Sequence, residues 1–436
     1  AQSGSRFEAH SPCTHPPAAM AVEALEAGAL DKQLFGKPQA EAPRSAFRRT
    51  ERACAATLLL GALFAAGTTC LLRWSGETPR SSPLPAGATE EAARAFEAWS
   101  SEHGRQYATP EDRAVRLAIF RANFRRVQAE NGKGHPYRLA LNEFADRTSE
   151  EFRASHFGLA AVPRSGELWR GLPRLGTDRS NGTNHSDLPS AWDWVGKGAV
   201  TPPKDQGQCG SCWAFSATGA LEGAWQIARG SLVSLSEQQL VDCSKDNNAC
   251  GGGDMDSAFA FAQGHDVCTE SGYPYTASAG SCQAKCQVGI PRGSVAGYRD
   301  VAVGDERALM EAVLRQPVSV AIQANQLAFQ LYGGGVLTKT CGDKVDHGVL
   351  LVGFGSEGGL DYWKVKNSWG AAWGEGGYIR IQRGASGPGE CGIQSMSSYP
   401  IIKNATLPSS TGLAAPPLPE SSAVRHSPIG GEAVAL

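Results

Sequence analysis

The stretch Gln206-Gly207-Gln208-Cys209-Gly210-Ser211-Cys212-Trp213-Ala214-Phe215 decides how this chain is read. It leads from a Gly/Gln-rich turn into a run whose apolar residues recur at helical spacing: Trp213, Phe215, Ala220, Leu221, Ala224 and Ile227. The spacing predicts a helix over Ser211–Arg229, which Gly230 can end. Cys212 then stands at a helix N-terminus, where unpaired N–H groups and the positive end of the dipole favour a thiolate. Further along, Leu235–Val241 predicts a second, shorter helix capped by Ser236. After about Val295 the pattern turns to strands, over Val318–Ile322, Gly348–Gly353, Tyr362–Lys366 and Tyr378–Ile381. Helices first and strands afterwards predict an α+β fold of two packed halves with a groove between them.

A thiolate at Cys212 needs a cation beside it. His347, in Lys344-Val345-Asp346-His347-Gly348, is the candidate, and Asn367, in Lys366-Asn367-Ser368-Trp369-Gly370, can accept a hydrogen bond from its imidazole. Nucleophile, base and orienting group are what acyl transfer through a cysteine requires. Gln206 precedes Cys212 by six residues, and its amide can join the Cys212 backbone N–H in holding an oxyanion. Nine of the twelve cysteines fall between Cys209 and Cys391. Eight can pair in an oxidising compartment, which leaves one thiol as a bystander or as the reactive group.

QGQCGSCWAF, DHGV and KNSWG, in that order, make the chain resemble the papain-like cysteine proteases, most closely the cathepsin L branch, over about residues 92–404. The resemblance implies the papain-like two-subdomain fold, a helical half and a β-barrel-like half, with the active site in the groove. It implies an endopeptidase with catalytic Cys212, His347, Asn367 and Gln206, working without cofactor or metal. It implies the bridges Cys209–Cys250, Cys243–Cys282 and Cys341–Cys391, and leaves a Cys268–Cys286 bridge as a hypothesis. By the same alignment the substrate main chain runs along Gly252 and Gly253. Met255, Ala321, Gly348 and Met396 line an apolar pocket for the residue two before the cut, and Asp346 and Trp369 flank the site. Relatives usually carry Asn at Gly251 and a Leu or aromatic residue at Asp254. Asp254 is read as a solvated turn residue, with tolerance of a basic substrate group as the alternative. An exopeptidase of this fold would need an insertion closing the groove, and none stands between Cys250 and Cys268. A peptide-binding membrane receptor would have no need of an inhibitory segment.

The segment before the enzyme resembles the family's inhibitory prosegment. Asp112, Arg116, Phe120, Asn123, Val127 and Asn131 match its spaced helical motif, and Ala140, Asn142, Phe144 and Asp146 match the companion motif, with Ala for the usual Gly. Phe96 and Trp99, then Leu117, Phe120, Phe124 and Val127, give Glu90–Asn131 a helical pattern, with Thr109-Pro110 as a helix start. Residues 162–186 read as a loop, and cleavage is expected between Gly176 and Leu188. Acid would loosen the prosegment by protonating its carboxylates.

A formal charge of −2, from 41 basic and 43 acidic residues, excludes a nucleic-acid binder driven by bulk charge. Residues 53–72 run uncharged for twenty positions, long enough for a ~30 Å hydrocarbon core, behind Arg44, Arg48, Arg49 and Arg52. They predict a signal anchor with a cytosolic N-terminal side; a signal cleaved near Ala66 is the alternative. The expected order is a cytosolic tail (1–52), the anchor (53–72), a linker (73–89), the prosegment and activation linker (90–186), the mature protease (187–404) and a disordered tail (405–436). Asn181, Asn184 and Asn404 are N-x-[ST] glycosylation acceptors. A type II membrane precursor in an endolysosomal, vacuolar or secretory lumen follows. Its expected partners are protein and peptide substrates, its own prosegment and cystatin-type inhibitors, and the mature enzyme is expected to be a monomer.

Overall fold

The structure, a computed structural model, describes residues 86–159, 174–180 and 186–403. The N-terminal tail, the 53–72 span, the glycosylation acceptors Asn181, Asn184 and Asn404, and the C-terminal tail lie outside the described residues. Among the described residues no helix is long and apolar enough to cross a membrane.

The chain divides into two compact units, residues 1–122 and 123–436. In the first, α1 (Ala86–Glu102) leads to the start of α2 (Pro110–Asn131). The three-residue spacing of Phe96 and Trp99 puts both on the buried side of α1, where the Phe96 ring meets Phe120 edge-on at 5.3 Å. The helical stretch expected over 90–131 forms two helices: it breaks at 103–109, where Gly104 takes φ +58°, and restarts with Thr109 as N-cap, at the helix start that the sequence predicts. Thr109 Oγ1 accepts the Asp112 N–H at 3.0 Å, with Pro110 in the first turn where no donor is needed.

The second unit begins with the rest of α2, β1 (Tyr137–Leu139) and α3 (Ser149–His156). The start of α3 is a reciprocal capping box between Thr148 and Glu151. Next come β2 (Arg174–Asp178) and β3 (Trp192–Asp193). The helical half follows, with α4 (Cys212–Arg229), α5 (Glu237–Cys243) and α6 (Met255–Gly264). The strand-rich half holds β4 (Val267–Cys268), β5 (Val288–Ile290), β6 (Val295–Val301), α7 (Glu306–Arg315), β7 (Val318–Ile322), α8 (Leu327–Gln330) and β8 (Tyr332–Leu337). It closes with β9 (His347–Glu357), β10 (Leu360–Lys366), β11 (Tyr378–Gln382) and β12 (Ser397–Ile402).

Ten strands form one sheet in the order β1-β8-β11-β10-β9-β7-β12-β6-β2, with β3 beside β9. Helix α4 ends at Gly230, whose φ of +75° is the left-handed stop that its sequence predicts. All five residues of β7 are buried, as befits a central strand. At Gly219, α4 comes so near β9 that an added Cβ would sit 2.7 Å from Leu350 Cδ2. Below this contact Lys204 Nζ meets Glu237 at 2.7 Å and Glu222 at 3.4 Å, and Thr218 and Thr201 bond the same two carboxylates. Buried charges persist when paired and hydrogen-bonded in this way.

Bridges join Cys209–Cys250, Cys243–Cys282, Cys268–Cys286 and Cys341–Cys391. The 162–186 segment, expected as loop, contains strand β2 running parallel to β6. Its five residues show no alternation of their own, because the order comes from the strand they join.

Candidate active site

Three elements bring the predicted residues together. Cys212 is the first residue of α4, His347 the first of β9, and Asn367 directly follows β10, which pairs with β9. Cys212 Sγ accepts the Gly348 N–H at 3.4 Å. His347 Nε2 is 2.8 Å from Asn367 Oδ1, so the amide carbonyl accepts the ring N–H and fixes the imidazole. His347 Nδ1 is buried without a hydrogen-bond partner among the described residues. Trp369 stacks on the imidazole at 4.8 Å and is itself 1% exposed, which keeps water from the His347–Asn367 bond. Cys212 is the one cysteine outside a disulfide among the described residues.

Gln206 is fully buried, and Ser368, a residue the motif reading passed over, sets its side chain by donating to Oε1 at 2.6 Å. The Gln206 Nε2 group donates to the Cys209 carbonyl at 2.9 Å and to the His156 carbonyl at 3.1 Å. The second acceptor belongs to the segment leaving α3. Phe157 lies edge-on to His347 at 5.7 Å, and the Gly158 N–H hydrogen-bonds Cys212 Sγ. Gly253 N donates to Gly158 O at 2.8 Å, Leu159 bridges Gly253 in parallel, and Leu159 N donates to Asp346 O at 3.3 Å. The 156–159 backbone therefore occupies the groove along Gly252 and Gly253. No local periodicity marks these four residues, and the only signal was a glycine just beyond a helix.

This cover changes the protonation state that the sequence suggests. Burial pushes the Cys212 thiol up to about 11, against the opposing pull of backbone N–H groups, and pushes His347 down to about 4. The helix terminus alone favours a thiolate, while burial in the closed groove favours the neutral form of both groups. Burial likewise raises Asp346 to about 6, with its Oδ1 accepting the Ala324 N–H at 2.8 Å.

The residues expected to line an apolar pocket also lie together. Gly348 faces Met255, where a Cβ would lie 3.1 Å from the sulfur, and Ala321 pairs with Gly348 across β7 and β9. Met396 joins them through its carbonyl, which accepts the Ala321 N–H at 2.9 Å. Asp254 is the N-cap of α6 and accepts from Ser257 N and Oγ at 2.9 and 2.8 Å. Its carboxylate is committed to the helix.

The prosegment motif has a physical account as well. Asn123 Nδ2 bonds the carbonyls of Ala145 and Arg147, Asn131 bonds both backbone groups of Leu139, and Asn142 Nδ2 donates to Gln330 O. Gln330 Nε2 returns bonds to Phe144 O and Arg147 O. The asparagines thus satisfy backbone groups of an irregular segment that could not satisfy them itself.

A model described as papain family cysteine protease matches residues 188–401, and one described as cathepsin propeptide inhibitor domain (I29) matches residues 96–152. Vignain of Ricinus communis is 46% identical over 322 residues, covering 72% of this chain and 87% of its own. The senescence-specific cysteine protease SAG12 of Arabidopsis thaliana is 44% identical over 309 residues, covering 70% and 88%. Among solved structures, the proform of the ragweed pollen cysteine protease Amb a 11 has a TM-score of 0.63 at 37% identity and covers 73% of this chain and 98% of its own. Digestive procathepsin L 3 of Tenebrio molitor has a TM-score of 0.63 at 39% identity, covering 71% and 99%. With the groove, the segment lying in it and these likenesses in agreement, the chain belongs to the papain family of cysteine proteases and is a zymogen carrying its own propeptide inhibitor domain.

Proposed function

We propose that the chain is an autoinhibited cysteine endopeptidase with Cys212 as nucleophile, His347 as acid and base, and Asn367 as the group that orients His347. Once the groove is open to water, the thiol proton passes to His347 and the sulfur attacks the scissile carbonyl carbon. Gln206 Nε2 and the Cys212 N–H hold the oxyanion. The tetrahedral adduct collapses to a thioester as His347 gives its proton to the leaving amine. Water then attacks the thioester, its proton goes to His347, and the acid leaves while the thiol reforms.

The observation that carries this reading is the His156 carbonyl on Gln206 Nε2, with the Gly158 N–H on Cys212 Sγ. A peptide backbone of the chain itself sits on the groups that would handle a scissile bond. The convergence of Met255, Ala321, Gly348 and Met396 supports a preference for an apolar residue two positions before the cut. Acid opening is supported by His156, a buried imidazole in the covering segment.

The proposed division keeps 90–186 as prosegment and activation linker, with the activating cut inside the linker, and 187–404 as the protease domain. Four bridges support an oxidising lumen, endolysosomal, vacuolar or secretory, and the 53–72 run supports a type II anchored precursor. Cystatin-type inhibitors would enter the same groove, and the mature enzyme would act as a monomer.

The test is hydrolysis of Phe-Arg and Leu-Arg fluorogenic peptides by acid-treated protein beside Cys212→Ala. Activity lost in the variant and blocked by a thiol-directed peptide epoxide is expected. Processed protein with no activity on either peptide would refute the reading.

A further inference from the structure

We propose that residues 174–187 stay with the catalytic domain when the prosegment is removed: activation cuts before Arg174, and β2 remains as the outer strand of the mature sheet. The inference rests on the reading that the zymogen is activated by cleavage, and it moves the expected cut upstream.

Strand β2 is tied to the enzyme's sheet by a strand ladder and by ion pairs. It pairs in parallel with β6, and Asp178 O accepts the Ala302 N–H at 2.9 Å. The Asp178 side chain is gripped from three directions. Arg299 reaches Oδ1 at 2.6 Å, Arg315 reaches Oδ2 at 2.9 Å, and the buried Tyr399 hydroxyl donates to Oδ2. Arg174 pairs with Asp300 at 2.5 Å. Beyond the strand, Ser180 N and Oγ both donate to Asp305 at 2.8 and 2.6 Å, and Asp305 is itself the N-cap of α7. Arg307 then holds Asp187 through two parallel bonds at 2.5 and 2.7 Å.

These contacts make removal costly in two ways. Without β2, the Tyr298–Val301 part of β6 becomes an open sheet edge, and natural proteins avoid uncovered edges. Arg299 and Arg315 also lose the carboxylate that they share, leaving two guanidinium groups side by side. Proteases cut segments that open from their surroundings, and opening here must break the ladder and the ion pairs together. Between the anchors at Ser180 and Asp187 only six residues intervene, a short span for a second protease to draw out.

The test is limited proteolysis of full-length Cys212→Ala with thermolysin at neutral pH, with the new N-termini read by mass spectrometry. Thermolysin cuts before apolar residues, and Leu175 is 46% exposed, so the Arg174–Leu175 bond is a sensitive reporter. The expected stable fragment begins before Arg174. In Asp178→Ala, and independently in Arg315→Ala, cutting at Leu175 is expected to be at least tenfold faster. A parent protein cut between Arg174 and Asp187 as fast as these variants overturns the proposal. Self-activated enzyme is then sequenced: a start before Arg174 supports the proposal, and a start between Gly176 and Leu188 overturns it. Failure to self-process counts against the endopeptidase reading alone, because thermolysin reads the strand without it.

Discussion

Replacing Gly158 with Ala isolates the contact that closes the groove. A Cβ at this position would lie 2.7 Å from Gly210 Cα and closer still to the Gly210 carbonyl. That backbone cannot yield, because Gly210 N is bonded to Cys250 O at 3.1 Å and the adjoining Cys209–Cys250 bridge pins the turn. The covering segment has to lift instead. It then gives up the Gly253 N–Gly158 O and Leu159 N–Asp346 O bonds and the N–H on Cys212 Sγ. At about 0.5–1.5 kcal/mol net for each of the two backbone–backbone bonds, with the weak bond to sulfur adding little, the loss is about 2 kcal/mol, or a ~30-fold larger open fraction. The assay is the rate at which a thiol-directed peptide epoxide labels Cys212 in the intact zymogen at pH 7, against the parent protein. Labelling about 30-fold faster is expected. A rate within twofold of the parent, in a variant with an unchanged melting temperature, would refute the claim that Gly158 seals the site.

Burial lowers His156 to about 3, with Arg147 and His347 nearby adding to the effect, and lowers His347 to about 4. Both imidazoles keep the groove closed fully above about 6.5 and lose that hold as pH falls toward their buried values, each raising the open fraction up to ~tenfold per pH unit. Asp346, raised to about 6, works the other way below that pH. His156→Phe should therefore lower the steepness of epoxide labelling against pH by about one decade per unit, and an unchanged profile would remove His156 from the mechanism. Asn367→Ala deletes the acceptor at His347 Nε2 and should lower kcat by about 10–100-fold with KM nearly constant, as read by steady-state kinetics. Asp254→Ala should cost about 1 kcal/mol in a melting experiment through loss of the α6 cap. It should leave the preference between Leu and Arg substrates unmoved, and a changed preference would show the carboxylate facing substrate.

Much of the fold was legible because its signals are local. Val318–Ile322 is a strand to the residue, since Val318, Val320, Ala321 and Ile322, with only Ser319 among them, suit a strand buried on both faces. Gly230 stops α4, and Ser236 caps α5 through its bond from Gln239 N. Strands β1 and β2 were not legible, because three and five residues carry too little pattern and each is ordered by a partner far along the chain. Within the site, Cys212, His347, Asn367 and Gln206 could be named from motifs, and the structure brings them to one groove. The protonation of Cys212 and His347 could not be read, because it depends on how deeply the tertiary packing buries the pair. Ser368 escaped notice for a related reason: a serine shows no preference in sequence for the amide it will hold.

The hydrogen bond from Gln206 Nε2 to the His156 carbonyl ties restraint to catalytic power. The same donor serves the latch in the zymogen and the oxyanion in the proposed reaction, so neither can be tuned alone. A change that weakens this donor loosens the zymogen and blunts the enzyme together. Selection for a leakier or tighter precursor is thereby diverted to positions such as His156 and Gly158, which leave with the prosegment and do not burden the mature protease.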